Sequence, residues 1–135
     1  MNMDETPDAI ARRCLSAAFD ATMDFPTIVQ TLIASGFEGY EIDYRRNTAT
    51  YFTSGGDSLQ LALPDTGGTV APAFNARAIE QAVRDAQRNA PGYTYAGFCA
   101  TVKAAGCAGY MVSFLGKRVV YFGRTAETHV EHFPK

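Results

Sequence analysis

The chain of 135 residues has no tryptophan, only two histidines and only three cysteines. Cys14, Cys99 and Cys107 are odd in number and form no Cys-x-x-Cys spacing, which excludes the paired-thiolate metal and redox motifs. They read as reduced thiols of a cytoplasmic protein. No apolar run approaches the ~20 residues of a membrane span. The N-terminus is acidic and then amphipathic, without the apolar stretch of a signal peptide. A basic excess is also missing. The formal net charge is −2, which argues against a broad nucleic-acid-binding face. Ser54-Gly55-Gly56 and Thr66–Thr69 lack the Gly-Lys-Ser/Thr of a phosphate loop, and no Gly-x-Ser-x-Gly elbow occurs. His129-Val130-Glu131-His132 matches no zinc signature, because His-Glu-x-x-His relies on a helix to bring its two histidines together. Neither a metal nor a cofactor is expected, nor a nucleic-acid or membrane partner.

What is present is bulky apolar material. Nine phenylalanines and seven tyrosines contribute to a hydrophobic fraction of 47%, enough for one domain of this length to bury a core without staples. That material is arranged twice. Sliding residues 22–64 onto 92–134 without a gap brings Gly36 onto Gly106, Gly39 onto Gly109 and Tyr40 onto Tyr110. The same shift brings Tyr51-Phe52 onto Tyr121-Phe122 and Pro64 onto Pro134. These matches sit at helix stops, turns and strand pleats, where a fold is most particular. The expectation is a single domain, residues 1–135, with two pseudo-repeats of about 6–64 and 75–134.

Each copy reads as two helices and three short strands. Thr6 before Pro7, then Asp24, Asn75 and Thr94, are N-cap residues whose side-chain oxygens accept from the first free amides of a helix. Gly36 and Gly106 stop the second helix of each copy, since glycine enters the left-handed C′ conformation without a Cβ penalty. Period two follows. Tyr40, Ile42 and Tyr44 alternate with Glu41, Asp43 and Arg45, and Tyr110, Val112 and Phe114 alternate with Met111, Ser113 and Leu115. The fold class is therefore α+β, with helices on one face of a mainly antiparallel sheet. The second hairpin is apolar on both faces. It is expected either to be central or to be covered by another subunit, which makes a homodimer the expected oligomer.

The third strand carries the sharpest chemical lead. Leu59, Leu61 and Leu63 of the first copy correspond to His129, Glu131 and Phe133. The repeat therefore points an imidazole and a carboxylate inward, two residues apart, where they would form a general acid–base pair. The competing reading is a polar edge strand, in which a one-residue slip turns Val130 inward and His129 outward. Among the exposed charges, Arg124 and Asp43 are the candidate ligand-binding residues, beside Arg45 and Arg46. Arg124 would bind an anion or pair with Glu127. Cys99 and Cys107 read as core, since Cys107 stands where the first copy has Phe37.

Ala105-Gly106-Cys107-Ala108-Gly109-Tyr110-Met111-Val112, Val120-Tyr121-Phe122-Gly123-Arg124 and His129-Val130-Glu131-His132-Phe133-Pro134 together resemble the YdfO-like family. These are small bacterial and prophage-borne proteins of unknown function, sometimes labelled phage envelope protein. The resemblance runs from about Phe25 onward. It implies an α+β fold of helix pairs and short strands, and through its label a virion part; a phage-related structural or host-regulatory protein is a further alternative. The resemblance brings no functional residues with it. The residues themselves favour a non-catalytic module that binds a small molecule or a protein. The alternative is a small enzyme built on His129 and Glu131.

Overall fold

A computed structural model describes residues 5–134; Met1–Asp4 and Lys135, which the sequence reading includes in its single domain, lie outside the described residues. The chain runs α1 (Pro7–Asp20), α2 (Phe25–Ala34), β1 (Phe37–Asp43), β2 (Thr48–Thr53), β3 (Ser58–Ala62), α3 (Ala76–Gln87), α4 (Tyr95–Ala104), β4 (Cys107–Ser113), β5 (Arg118–Gly123) and β6 (Thr128–His132). All four expected caps form. The side chains of Thr6, Asp24, Asn75 and Thr94 accept from Ala9, Thr27, Ala78 and Gly97 amides. Gly36 and Gly106 follow α2 and α4 at φ +92° and +91°.

The six strands form one antiparallel sheet in the order β3-β2-β1-β4-β5-β6. The fold is α+β, as the alternation implied. Registers coincide at the seventy-residue offset. Tyr40 pairs with Tyr51 and Tyr110 with Tyr121, each hairpin has a register shift just before its glycine, and Ala49↔Leu61 matches Val119↔Glu131. The central β1–β4 pair is symmetric about Glu41↔Met111, since Gly39↔Ser113 mirrors Asp43↔Gly109. Both glycines are needed there. A Cβ on Gly39 would meet Val112 O at 2.5 Å, and one on Gly109 would meet Ile42 O at 2.3 Å.

The core lies between the helices and one sheet face. Leu32, Ile42, Ile79, Val102 and Val112 are almost wholly buried there, with Tyr40, Tyr51, Tyr110 and Tyr121 in a row of touching rings across the strands. Such rings bring large apolar area to the core and fix its geometry. The other sheet face is open within the chain. The second hairpin is central only in part. β4 is central, but β5 is one strand from the edge, and Met111 and Val130 remain 44% and 41% exposed. The reason is that all four helices cross on the tyrosine side, leaving none to cover the reverse. Among the described residues, no helix is long and apolar enough to cross a membrane.

Candidate functional site

β6 is an edge strand, yet its register is the one the repeat implies: Val130 faces outward and Glu131 is buried. His129 Nε2 lies 2.6 Å from Glu131 Oε2. From α3, Arg84 Nη1 donates to Glu131 Oε1 at 2.8 Å, and Glu80, one turn earlier, lies 4.0 Å from Arg84. Burial pushes the Glu131 carboxyl up, but hydrogen bonds from Arg84 and His129 outweigh it and hold the group below its ordinary range. The hydrogen bond to Glu131 in turn raises Arg84. A carboxylate only accepts, so His129 Nε2 carries the hydrogen and Nδ1 is the nitrogen left to exchange a proton. Glu131 is thus an orienting anion. Glu80, His129 and Glu131 also bring three donor atoms within 4.8 Å of one another. The Arg84 guanidinium contacts both carboxylates, and its charge opposes a metal cation at that point.

A second constellation lies at the end of the sheet where the β1–β2 turn, the 64–75 linker and the β5–β6 turn converge against the end of α4. Tyr44, Arg45, Asn47, Asp65, Lys103 and Arg124 line a cleft of about 330 Å³, together with Gly68–Val70. Lys103 occupies the last turn of α4, and its side chain is 2% exposed. The terminal α4 carbonyls do not need it. Lys103 O accepts from Ala71 N at 3.0 Å and Ala105 O from Asn75 N at 2.8 Å, so the linker caps the helix. Lys103 Nζ instead donates to Gly67 O at 2.8 Å and lies 3.9 Å from Asp65 Oδ1. Arg124 Nη1 donates to Val70 O at 3.3 Å. The linker seats tightly, because a Cβ on Gly106 would meet Ala73 O and one on Gly123 would meet the Phe74 ring. A smaller hollow of about 250 Å³ separates α3 from α4 at Pro91–Thr94.

The structure therefore joins His129 to Glu131 and places Arg124 and Arg45 on one cleft, but it does not bring the two groups together. Asp43 does not itself line the cleft but borders it through Arg45. Its Oδ1 accepts from Arg45 N and Arg46 N at 2.9 and 3.1 Å, which shapes the β1–β2 turn. Glu127 hydrogen-bonds Thr125, leaving Arg124 to the linker. Cys14, Cys99 and Cys107 are free and buried.

Three residues escaped the sequence reading: Glu80, Arg84 and Lys103. Each was visible at the same offset. Glu80 and Arg84 stand where α1 has Ile10 and Cys14, so the apolar set Ile10, Cys14, Leu59 and Leu61 becomes the polar set Glu80, Arg84, His129 and Glu131. Lys103 replaces Ile33 and is the only charged residue of α4.

The family described as "Protein of unknown function (DUF1398)" matches residues 15–131. No curated protein matches the chain.

Proposed function

The chain belongs to the DUF1398 family, whose description names no activity, and we propose that it is a non-catalytic binding module that takes a small molecule into the cleft at the end of its sheet. The observation that carries this reading is convergence. Four separate segments, at 44–47, 65–70, 103 and 124, place polar side chains around one concavity of about 330 Å³, within the size range of small-molecule sites. Amide chemical shifts recorded against a chemically diverse small-molecule library test it. Shifts of the Tyr44, Thr69 and Val70 amides are expected, and a library that moves none of them would end the reading.

One observation favours a second reading, an enzyme in which His129 exchanges a proton at Nδ1 while Glu131 orients it. The 2.6 Å contact is the arrangement that an acid–base histidine uses. His129→Ala, set against every activity detected for the protein, decides it: an unchanged activity removes His129 from the chemistry.

The proposal extends to a homodimer formed through the open sheet face. Met111, Val120 and Val130 are cross-strand neighbours there, and exposed apolar area of this kind supports an interface. Light scattering at micromolar concentration is expected to give twice the chain mass; the mass of one chain would remove the dimer. The YdfO-like resemblance remains a proposal beside the family match and adds no functional residue.

A further inference from the structure

We infer that the cleft recognises a small organic oxyanion, a carboxylate or a phosphate ester, held between Lys103 and Arg124. The inference rests on the reading above that the cleft is a ligand site, and it names the ligand's chemistry. On a chain of net charge −2, three cations and one carboxylate line this cleft. Positive charge concentrated against the sign of the whole molecule marks a partner of negative charge.

Lys103 makes the case specific. A buried ammonium is costly unless it is paired and its three hydrogens are used. Here it has one close partner, the neutral Gly67 carbonyl at 2.8 Å. The nearest carboxylate oxygen, on Asp65, is 3.9 Å away and already accepts from Gly67 N at 2.9 Å. Asp65 is 71% exposed, so it neutralises Lys103 only from the rim. An entering oxyanion would supply the missing acceptor. Arg124 spends one long hydrogen bond on Val70 O, and its planar fork retains donors suited to a carboxylate or phosphate.

The fold does not demand these cations. At the seventy-residue offset the other end of the sheet carries Ile33, Leu115 and Ser54 where this end carries Lys103, Arg45 and Arg124. The two halves keep the same hairpin registers, so an apolar or neutral set serves the same backbone. The rest of the ligand has Tyr44, Asn47, Thr69 and Val70 for company. A single ion would leave most of the volume unfilled, which favours an organic molecule.

Titration calorimetry and thermal shift on the full chain test this with four probes: inorganic phosphate, glucose 6-phosphate, succinate and glucose. At least one of the two organic anions is expected to bind and to raise Tm, with affinity falling as sodium chloride rises, while glucose does nothing. Preference between glucose 6-phosphate and succinate separates a phosphate ester from a carboxylate. Lys103→Met and Arg124→Met should each weaken binding by tenfold or more. Asp65→Asn should tighten it several-fold by removing the competing carboxylate, an effect that a merely structural Lys103 would not produce. If Lys103→Met fails to fold, Arg124→Met and Asp65→Asn carry the test. The inference falls if neither organic anion binds, if inorganic phosphate alone binds, or if Arg124→Met binds as tightly as the unaltered chain. A neutral molecule that shifts the Tyr44 and Val70 amides while no anion does so would overturn the ligand chemistry and leave the binding module standing; no shift from any molecule would overturn both.

Discussion

His129 Nε2 and Glu131 Oε2 lie 2.6 Å apart on the inward face of an edge strand, in the places that Leu59 and Leu61 take in the first half. Arg84 closes the arrangement from α3, so that charge, rather than apolar packing, ties the last strand to its helix.

This substitution of charge for packing makes the second half sensitive to acid. The folded-state carboxyl of Glu131 lies below its ordinary value of 4.5. Its contribution to stability is therefore complete above that value and is lost as pH falls through the lowered one. Urea melts at pH 7 and at descending pH below 4.5 should show the unaltered chain losing stability faster than Glu131→Gln, whose side chain cannot titrate. Parallel curves for the two proteins would show that the Arg84–Glu131–His129 network does not drive the acid response.

Much of the architecture was legible because its signals are local. A cap needs one side chain, a helix stop one glycine, and a strand an alternation readable over six residues. The register of β6 was legible only through comparison with β3, and it placed His129 and Glu131 facing inward together. Arg84 was not legible from β6 alone, since nothing in a strand states which helix turn lies over it; the Cys14-to-Arg84 change carried that information. The cleft was hidden for a different reason. Arg45, Lys103 and Arg124 are far apart in the chain and meet only because the 64–75 linker folds back over α4, a tertiary event without a local pattern. What covers the reverse face was left open between this chain and a second subunit, because apolar residues on both sides of a hairpin imply cover but do not say which chain supplies it. Descent of the two halves from one doubled unit is our proposal from the coincident registers; superposing 24–64 on 94–134 with chain order intact tests it.

Beside the tyrosine row lies one hydroxyl at odds with its surroundings. Tyr44 is 4% exposed, and among the described residues its hydroxyl is the buried side-chain polar atom without a hydrogen-bond partner. Tyr110, whose ring lies 6.3 Å from that of Tyr44, shares a hydrogen bond with the Tyr95 hydroxyl. Tyr44→Phe removes a hydroxyl whose polar neighbour is the weakly bonding Cys99 sulfur, and should cost less than about 0.5 kcal/mol or stabilise. Tyr110→Phe leaves Tyr95 without that partner in an apolar core and should cost about 1–3 kcal/mol. Equilibrium denaturation of both variants checks the ordering; a larger cost for Tyr44→Phe would mean that its hydroxyl has a partner after all.

The cysteines should be inert while the chain is folded. Burial pushes the Cys107 thiol up to about 12, and Sγ donates to Gly109 O at 3.2 Å. Cys14 and Cys99 are also raised, chiefly by burial. At pH 8 the thiolate, the form that reacts, is therefore scarce at Cys107. Ellman's reagent should find no reactive thiol within minutes in buffer and all three in denaturant. Prompt reaction of one thiol in the folded chain would contradict its burial.

Gly36 and Gly106 offer the most direct test of how the linker serves the cleft. They hold equivalent places after α2 and α4, at nearly the same positive φ, but their surroundings differ. Nothing lies within 4 Å of where a Gly36 Cβ would be, whereas a Gly106 Cβ would stand 2.0 Å from Ala73 O and 2.7 Å from Ala73 C. Gly36→Ala should therefore cost only the left-handed conformation, about 1–2 kcal/mol. Gly106→Ala adds a clash with backbone, which cannot rotate aside, and should cost about 3 kcal/mol or more. The difference has a functional side. Displacing Ala73 shifts the segment that carries Gly67 and Val70, the carbonyl acceptors of Lys103 and Arg124, so Gly106→Ala should also lose whatever binding the cleft supports, while Gly36→Ala retains it. Urea denaturation of the two variants alongside the unaltered chain, with the cleft amides followed by NMR, separates the cases. Equal costs, with the Tyr44 and Val70 amides unmoved in Gly106→Ala, would show that the linker does not seat on α4 as described.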